Sequence, residues 1–150
     1  MPTVPDCRPR FASDQPAAIF FDVDGTLIWV DMDKVESGAR LDDFLPNDSV
    51  RDAFRRLHER GHQAYLCTGR PLTMVPQGLL DLGFAGAIAG AGSCITLGGK
   101  VVYESVIPRD VVCEAVRLLR AIDVGALLES HSQPVILSDR RDLNLGFPDI

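Results

Sequence analysis

The stretch Ala17-Ala18-Ile19-Phe20-Phe21 is apolar without a break and runs straight into Asp22-Val23-Asp24-Gly25-Thr26. A short, continuously apolar run suits a strand buried on both faces of a parallel sheet. Open α/β sheets bind their ligands at the carboxyl ends of the strands. Residues two apart on a strand share a face, so Asp22 and Asp24 leave in roughly the same direction, although Asp24 already lies in the turn. Like charges that close cannot both stay ionised cheaply. A Mg²⁺ ion, which prefers a few carboxylates plus water, relieves the repulsion, and so does a proton on one of them. Both arrangements serve phosphoryl transfer, with Asp22 as nucleophile and Asp24 as general acid/base. The plainer reading is an Asp-Gly that merely closes a turn. An EF-hand loop is excluded, because its fifth and sixth positions, Asp or Asn and then an invariant glycine, would be Thr26 and Leu27.

The rest of the chain alternates in the same style. Leu27 to Pro46 has no clean period and is expected as a loop or flap. Asn47-Asp48-Ser49 offers N-caps for a helix over about Val50 to Arg60, with Val50, Phe54 and Leu57 at helical spacing. Gly61 sits where a left-handed C-terminal residue belongs. "QAYLCT" predicts a second buried strand, "GRPLTMVPQGLLDLG" a helix ending near Gly83, and "AGAIAGAG" a third strand entering a Gly-rich turn. "CITLGGKVVYE" is a hairpin signal around Gly98-Gly99. "RDVVCEAVRLLRA" sets Val112, Ala115, Val116 and Leu119 on one helical face, and "VGALLES" and "PVILSD" suggest two more strands. Strand–helix alternation predicts an α/β fold, a Rossmann-like parallel sheet core followed by the start of an α+β cap unit. The expected organisation is a disordered lead-in over 1–16, a core over 17–105 and a partial cap over 106–150.

Charge narrows the partners. A net charge of −6 argues against a nucleic-acid footprint. No segment approaches the roughly 20 apolar residues that span a bilayer, and the proline-studded N-terminus lacks a signal peptide's apolar core. Cys7, Cys67, Cys94 and Cys113 form no C-x-x-C pair and read as reduced thiols, so a cytoplasmic location is expected.

Two other motifs compete for attention. His58-Glu59-Arg60-Gly61-His62 matches the H-E-x-x-H zinc pattern, which requires both histidines on one face of an uninterrupted helix. Gly61 is a helix stop between them, so two histidines flanking a cap is the better reading. "GAIAGAG" lacks G-x-G-x-x-G, and "GGK" fails the P-loop spacing because Cys94 occupies the required first glycine.

"FFDVDGTL" resembles the first motif of the haloacid dehalogenase superfamily of phosphohydrolases, and "YLCTGR" looks like its second. The succession "GAIAGAGSCITLGGKVVYE" is similar to the Cof-like branch, which inserts an α/β (type IIB) cap after the second motif. The resemblance covers about Ala17 to Asp139. It implies that Asp22 attacks phosphorus and becomes an aspartyl phosphate, while Asp24 protonates the leaving oxygen and later activates water. It further implies that the Asp22 carboxylate and Asp24 backbone carbonyl bind Mg²⁺. Thr68 would hold a phosphoryl oxygen, helped by N–H groups around Gly25, Thr26 and Gly69, and Arg70 would bind phosphate, orient the site or cap it. The implied substrate is a small, sugar-phosphate-like metabolite.

The chain also departs from that pattern. Ala91-Gly92-Ser93 replaces the usual Asn-Gly-Ala. The family's third motif supplies a lysine and its fourth an acidic pair, yet Lys34 and Lys100 sit elsewhere, and Asp139, Asp142 and Asp149 lack the motif's setting. The expectation is therefore the N-terminal part of a longer phosphatase, with little or no turnover in 150 residues. The alternative is a non-catalytic module binding phosphate or a partner at the same strand ends. Strand Ala18 to Phe21 would expose an apolar edge open to self-association.

Overall fold

A computed structural model describes residues 15–36, 38 and 43–137 of the chain. Nearly all of the expected lead-in, Cys7, and Asp139, Asp142 and Asp149 lie outside these residues.

Strands β1 (Ala18–Phe21), β2 (Gln63–Cys67) and β3 (Gly86–Ala89) are parallel neighbours. β4 (Cys94–Leu97) and β5 (Lys100–Glu104) continue the sheet antiparallel, giving the order β1-β2-β3-β4-β5. β6 (Ala126–Leu128) and β7 (Val135–Leu137) form a separate antiparallel pair after a helix over Arg109–Ala121. The expected strands, hairpin and late α+β segment are thus all present, with Gly98 and Gly99 at positive φ in the hairpin turn.

Helix α1 (Met32–Glu36) occupies part of the stretch expected as loop. Helix α2 (Asp48–Glu59) begins at Asn47, whose Oδ1 accepts the Val50 N–H at 3.0 Å. It ends in a Schellman turn: Gly61 (φ +78°) donates to His58 O at 2.9 Å, and His62 to Leu57 O at 3.2 Å. Phe54 is the buried anchor of α2, packing against Phe21 and Phe84 with ring centroids 4.9 and 5.3 Å away. With Val23, Leu27, Ile28, Leu66 and Leu79 it forms one core under the sheet. Burying a phenylalanine this way contributes about 2 kcal/mol.

Two expectations need correction. The helix expected up to Gly83 is broken into a 3₁₀ turn (Leu72–Met74) and a single α-turn, α3 (Gln77–Leu80). Pro76 is responsible: it forces Val75 to extended angles (φ −87°, ψ 119°), which no helix passes through. The second correction concerns β1, which is not covered on both faces. Ile19 and Phe21 turn toward the core, but β1 is the sheet's edge among the described residues and Phe20 is 57% exposed. It lies stacked on Tyr65 with centroids 5.1 Å apart.

The later helix, α4 (Arg109–Ala121), carries its apolar stripe as expected, but no residue of it is fully buried. Val112, Val116 and Leu119 are half-covered and Ala115 is exposed.

Candidate active site

The register Phe21↔Leu66 brings the carboxyl ends of β1 and β2 side by side, with Asp22 and Thr68 just beyond. The chain turns sharply after β1. The N–H groups of Thr26, Leu27 and Ile28 all donate to Val23 O, at 3.3, 3.0 and 3.1 Å, and Gly25 donates to Ile28 O at 2.9 Å. Gly25 needs its φ of +76° to make this turn. The buried side chains of Val23, Leu27 and Ile28 fasten the turn to the core, so Asp22 and Asp24 are left on the exposed side.

Thr68 is 5% exposed and tightly placed. Its N–H donates to Ile88 O at 2.9 Å, and its carbonyl accepts from Ala91 at 3.2 Å. Its Oγ1 accepts the Arg70 N–H at 3.1 Å, which leaves the hydroxyl proton to donate outward. A side chain added at Gly69 would meet nothing within 4 Å, so the space above this turn is open.

Arg70 and Asp24 form a two-pronged pair, Nε to Oδ2 at 2.9 Å and Nη2 to Oδ1 at 2.5 Å. Arg70 is also held by Met74 O at 3.4 Å, and its side chain is 13% exposed against 50% for Asp24. Asp22, Asp24, Thr68, Gly69 and Arg70 therefore meet at one rim of the sheet. The N–H groups of Gly25 and Thr26, expected to help hold an anion, are engaged inside their own turn, whereas Gly69 has no acceptor among the described residues. The Arg70–Asp24 pairing was not specified by the sequence, since 46 positions separate the partners.

A Mg²⁺ ion prefers hard oxygens, one or two carboxylates with water and substrate oxygens making up the rest. The exposed Asp22 carboxylate and the Asp24 carbonyl fit that preference, while the Asp24 carboxylate is occupied by Arg70. Among the described residues no group of three or more His, Cys, Asp or Glu side chains gathers for a metal. The two histidines of the zinc-like motif diverge. His58 Nε2 pairs with Leu82 O at 3.0 Å, and His62 Nδ1 accepts the Ala17 N–H at 3.2 Å.

A Rossmann-like α/β sheet with carboxylates, a buried threonine and an arginine at one rim defines the class of protein. The family follows from comparison. Residues 19–145 match the model of the haloacid dehalogenase-like hydrolases, and the chain belongs to that family. It is 30% identical over 107 residues to a Bacillus subtilis (strain 168) protein named "Putative phosphatase YkrA", covering 71% of this chain and 36% of that one. The fold is similar to that of BT1666 from Bacteroides thetaiotaomicron, described among phosphatases of the haloalkanoate superfamily. The TM-score is 0.60 at 24% identity, over 89% of this chain and 45% of that one. A protein from Geobacillus kaustophilus gives a TM-score of 0.69 at 21% identity, over 87% and 46% of the two chains. BT4131, described as a subclass IIB sugar phosphatase, gives 0.59 at 23% identity, over 81% and 44%. The chain thus spans less than half the length of each of these relatives.

Proposed function

We propose that the chain is the phosphate-handling part of a Mg²⁺-dependent phosphatase acting on small phosphorylated, sugar-phosphate-like metabolites. Its core would be 17–105, with 106–150 the start of a type IIB cap. The observation that carries the reading is the meeting of Asp22, Thr68 and the Arg70–Asp24 pair at the ends of β1 and β2. An Asp22 oxygen attacks phosphorus, the P–O ester bond breaks, and the departing oxygen takes a proton from Asp24. Water then attacks the aspartyl phosphate, Asp24 takes its proton, and the Asp22–phosphorus bond breaks. Thr68 donates its hydroxyl proton to a phosphoryl oxygen, and the Gly69 N–H, which has no acceptor among the described residues, is a second donor for it. Arg70 holds Asp24 in place and must release at least one oxygen before Asp24 can carry a proton. Mg²⁺, held by the Asp22 carboxylate and Asp24 carbonyl, would supply charge neutralisation at the phosphoryl group.

A non-catalytic phosphate-binding role is the second reading. It is favoured by the closed Arg70–Asp24 pair, which occupies both oxygens of the Asp24 carboxylate. Intact-mass analysis after incubation with p-nitrophenyl phosphate and Mg²⁺ separates the two. A phosphate adduct on Asp22, lost with EDTA and in Asp22→Asn, supports the enzyme. Phosphate-analogue binding with no adduct supports the binder. For self-association, the supporting feature is β1's edge, unpaired among the described residues, beside the exposed Phe20.

A further inference from the structure

Beyond the strand ends, a cavity of about 450 Å³ lies between the start of the Pro71 turn, the β4–β5 hairpin and the residues around β6. It begins one residue after Arg70, and it also includes Gly90, whose N–H donates to Arg70 O at 2.8 Å. A space of this size takes a small organic molecule.

The lining has a definite chemistry. Leu72, Val106, Leu127 and Leu128 supply an apolar floor, and Ser93 and Ser105 add hydroxyls. Among the described residues that line it, the ionisable groups are Glu104, Glu129, His131 and Cys94, with no lysine or arginine. His131 Nδ1 pairs closely with Glu104 Oε1, across 27 residues, and this contact ties the hairpin to the loop after β6. Burial pushes the Cys94 thiol up, and the Glu104 charge adds to the effect, so the thiol brings no negative charge of its own at neutral pH. Glu129 is exposed, and among the described residues the basic side chain of the lining, His131, is paired with Glu104 and not with Glu129.

We infer that this cavity receives the organic part of the phosphate ester, and selects a hydroxylated group bearing an ammonium over neutral or acidic groups of the same size. The assignment of an ester rests on the phosphatase reading; the charge preference of the cavity does not. Glu129 attracts the ammonium, the serine hydroxyls meet the polyol edge, and the leucines cover its C–H face. A carboxylate in the same place would face Glu129 with no lysine or arginine among the described lining residues to offset it, Glu104 being already paired with His131.

The test is an amide NMR titration of the 150-residue chain at neutral pH with D-glucosamine, D-glucose and D-gluconate. These probes match in size and differ in charge. Glucosamine is expected to shift the amides of Ser105 and Leu127 to Glu129, binding about fivefold or more tightly than glucose, with gluconate weakest. Glu129→Gln, at an exposed position outside the strand-end site, is expected to remove the advantage over glucose. No shift at these amides, equal binding of glucose, or gluconate binding best would each overturn the inference. A parallel titration with inorganic phosphate and Mg²⁺ reads Thr68 and Gly69. Silence there with the glucosamine response intact counts against the phosphatase reading and leaves the cavity's selectivity standing.

Discussion

At the scale of single residues, Thr68 does two things at once, and the two can be separated. Thr68→Val keeps the shape, removes the outward O–H, and leaves the Arg70 N–H without its acceptor. A hydrogen bond to a charged group contributes about 1.5–3 kcal/mol, so phosphate affinity should fall roughly ten- to hundredfold by titration calorimetry. The lost acceptor should cost about 1–2 kcal/mol in urea unfolding. An unchanged affinity would remove Thr68 from the site. Cys94 offers a second check. Burial raises its thiol and Glu104 adds to this, while Cys67 and Cys113 are exposed. Iodoacetamide should therefore label Cys67 and Cys113 first at neutral pH, with Cys94 catching up only at alkaline pH. Because the folded value is raised, the stabilisation from keeping Cys94 protonated is present below the ordinary thiol range and lost as pH rises through the raised one. The placement of Asp22, Asp24 and Thr68 at strand ends was legible, because apolar runs lead into them. Arg70's engagement of Asp24 was not, since only the folded sheet brings positions 46 apart together.

At the scale of elements, legibility tracked how local the deciding forces are. Helix α2 carries its own cap residues in Asn47 and Gly61, so its ends were readable to within two residues. The 71–83 segment misled because its leucines keep a helical period while Pro71 and Pro76 forbid a continuous helix. Two glycines distinguish backbone strain from crowding. At Gly61 a Cβ would only graze Pro16 at 4.0 Å, so Gly61→Ala should cost the left-handed penalty alone, about 1 kcal/mol. At Gly86 a Cβ would fall 2.3 Å from Thr96 O, inside the β3–β4 ladder. Gly86→Ala should therefore lose roughly 2 kcal/mol or more and loosen the hairpin. Equal costs in urea melts would contradict this distinction.

At the scale of the whole molecule, the unusual feature is a parallel strand of four apolar residues at the rim of its sheet. Among the described residues β1 presents Phe20 and an unpaired backbone edge, where a run like AIFF ordinarily lies between neighbours. The sequence pattern alone reads as a fully covered strand, because coverage depends on what lies beside it and not on the strand itself. Concentration-dependent association is expected in sedimentation velocity, and Phe20→Lys should suppress it without lowering the unfolding free energy by more than about 1 kcal/mol. A chain that stays monomeric at high concentration would count against that edge as a contact. The central claim, that the ends of β1 and β2 hold a phosphoryl group against Asp22, is tested most directly with beryllium fluoride and Mg²⁺ followed by ¹⁹F and amide NMR. The expected result is a bound fluoride signal with shifts at Asp22, Thr68 and Gly69, abolished in Asp22→Asn. Binding that persists undiminished in Asp22→Asn, or no binding by the unaltered chain, would contradict it.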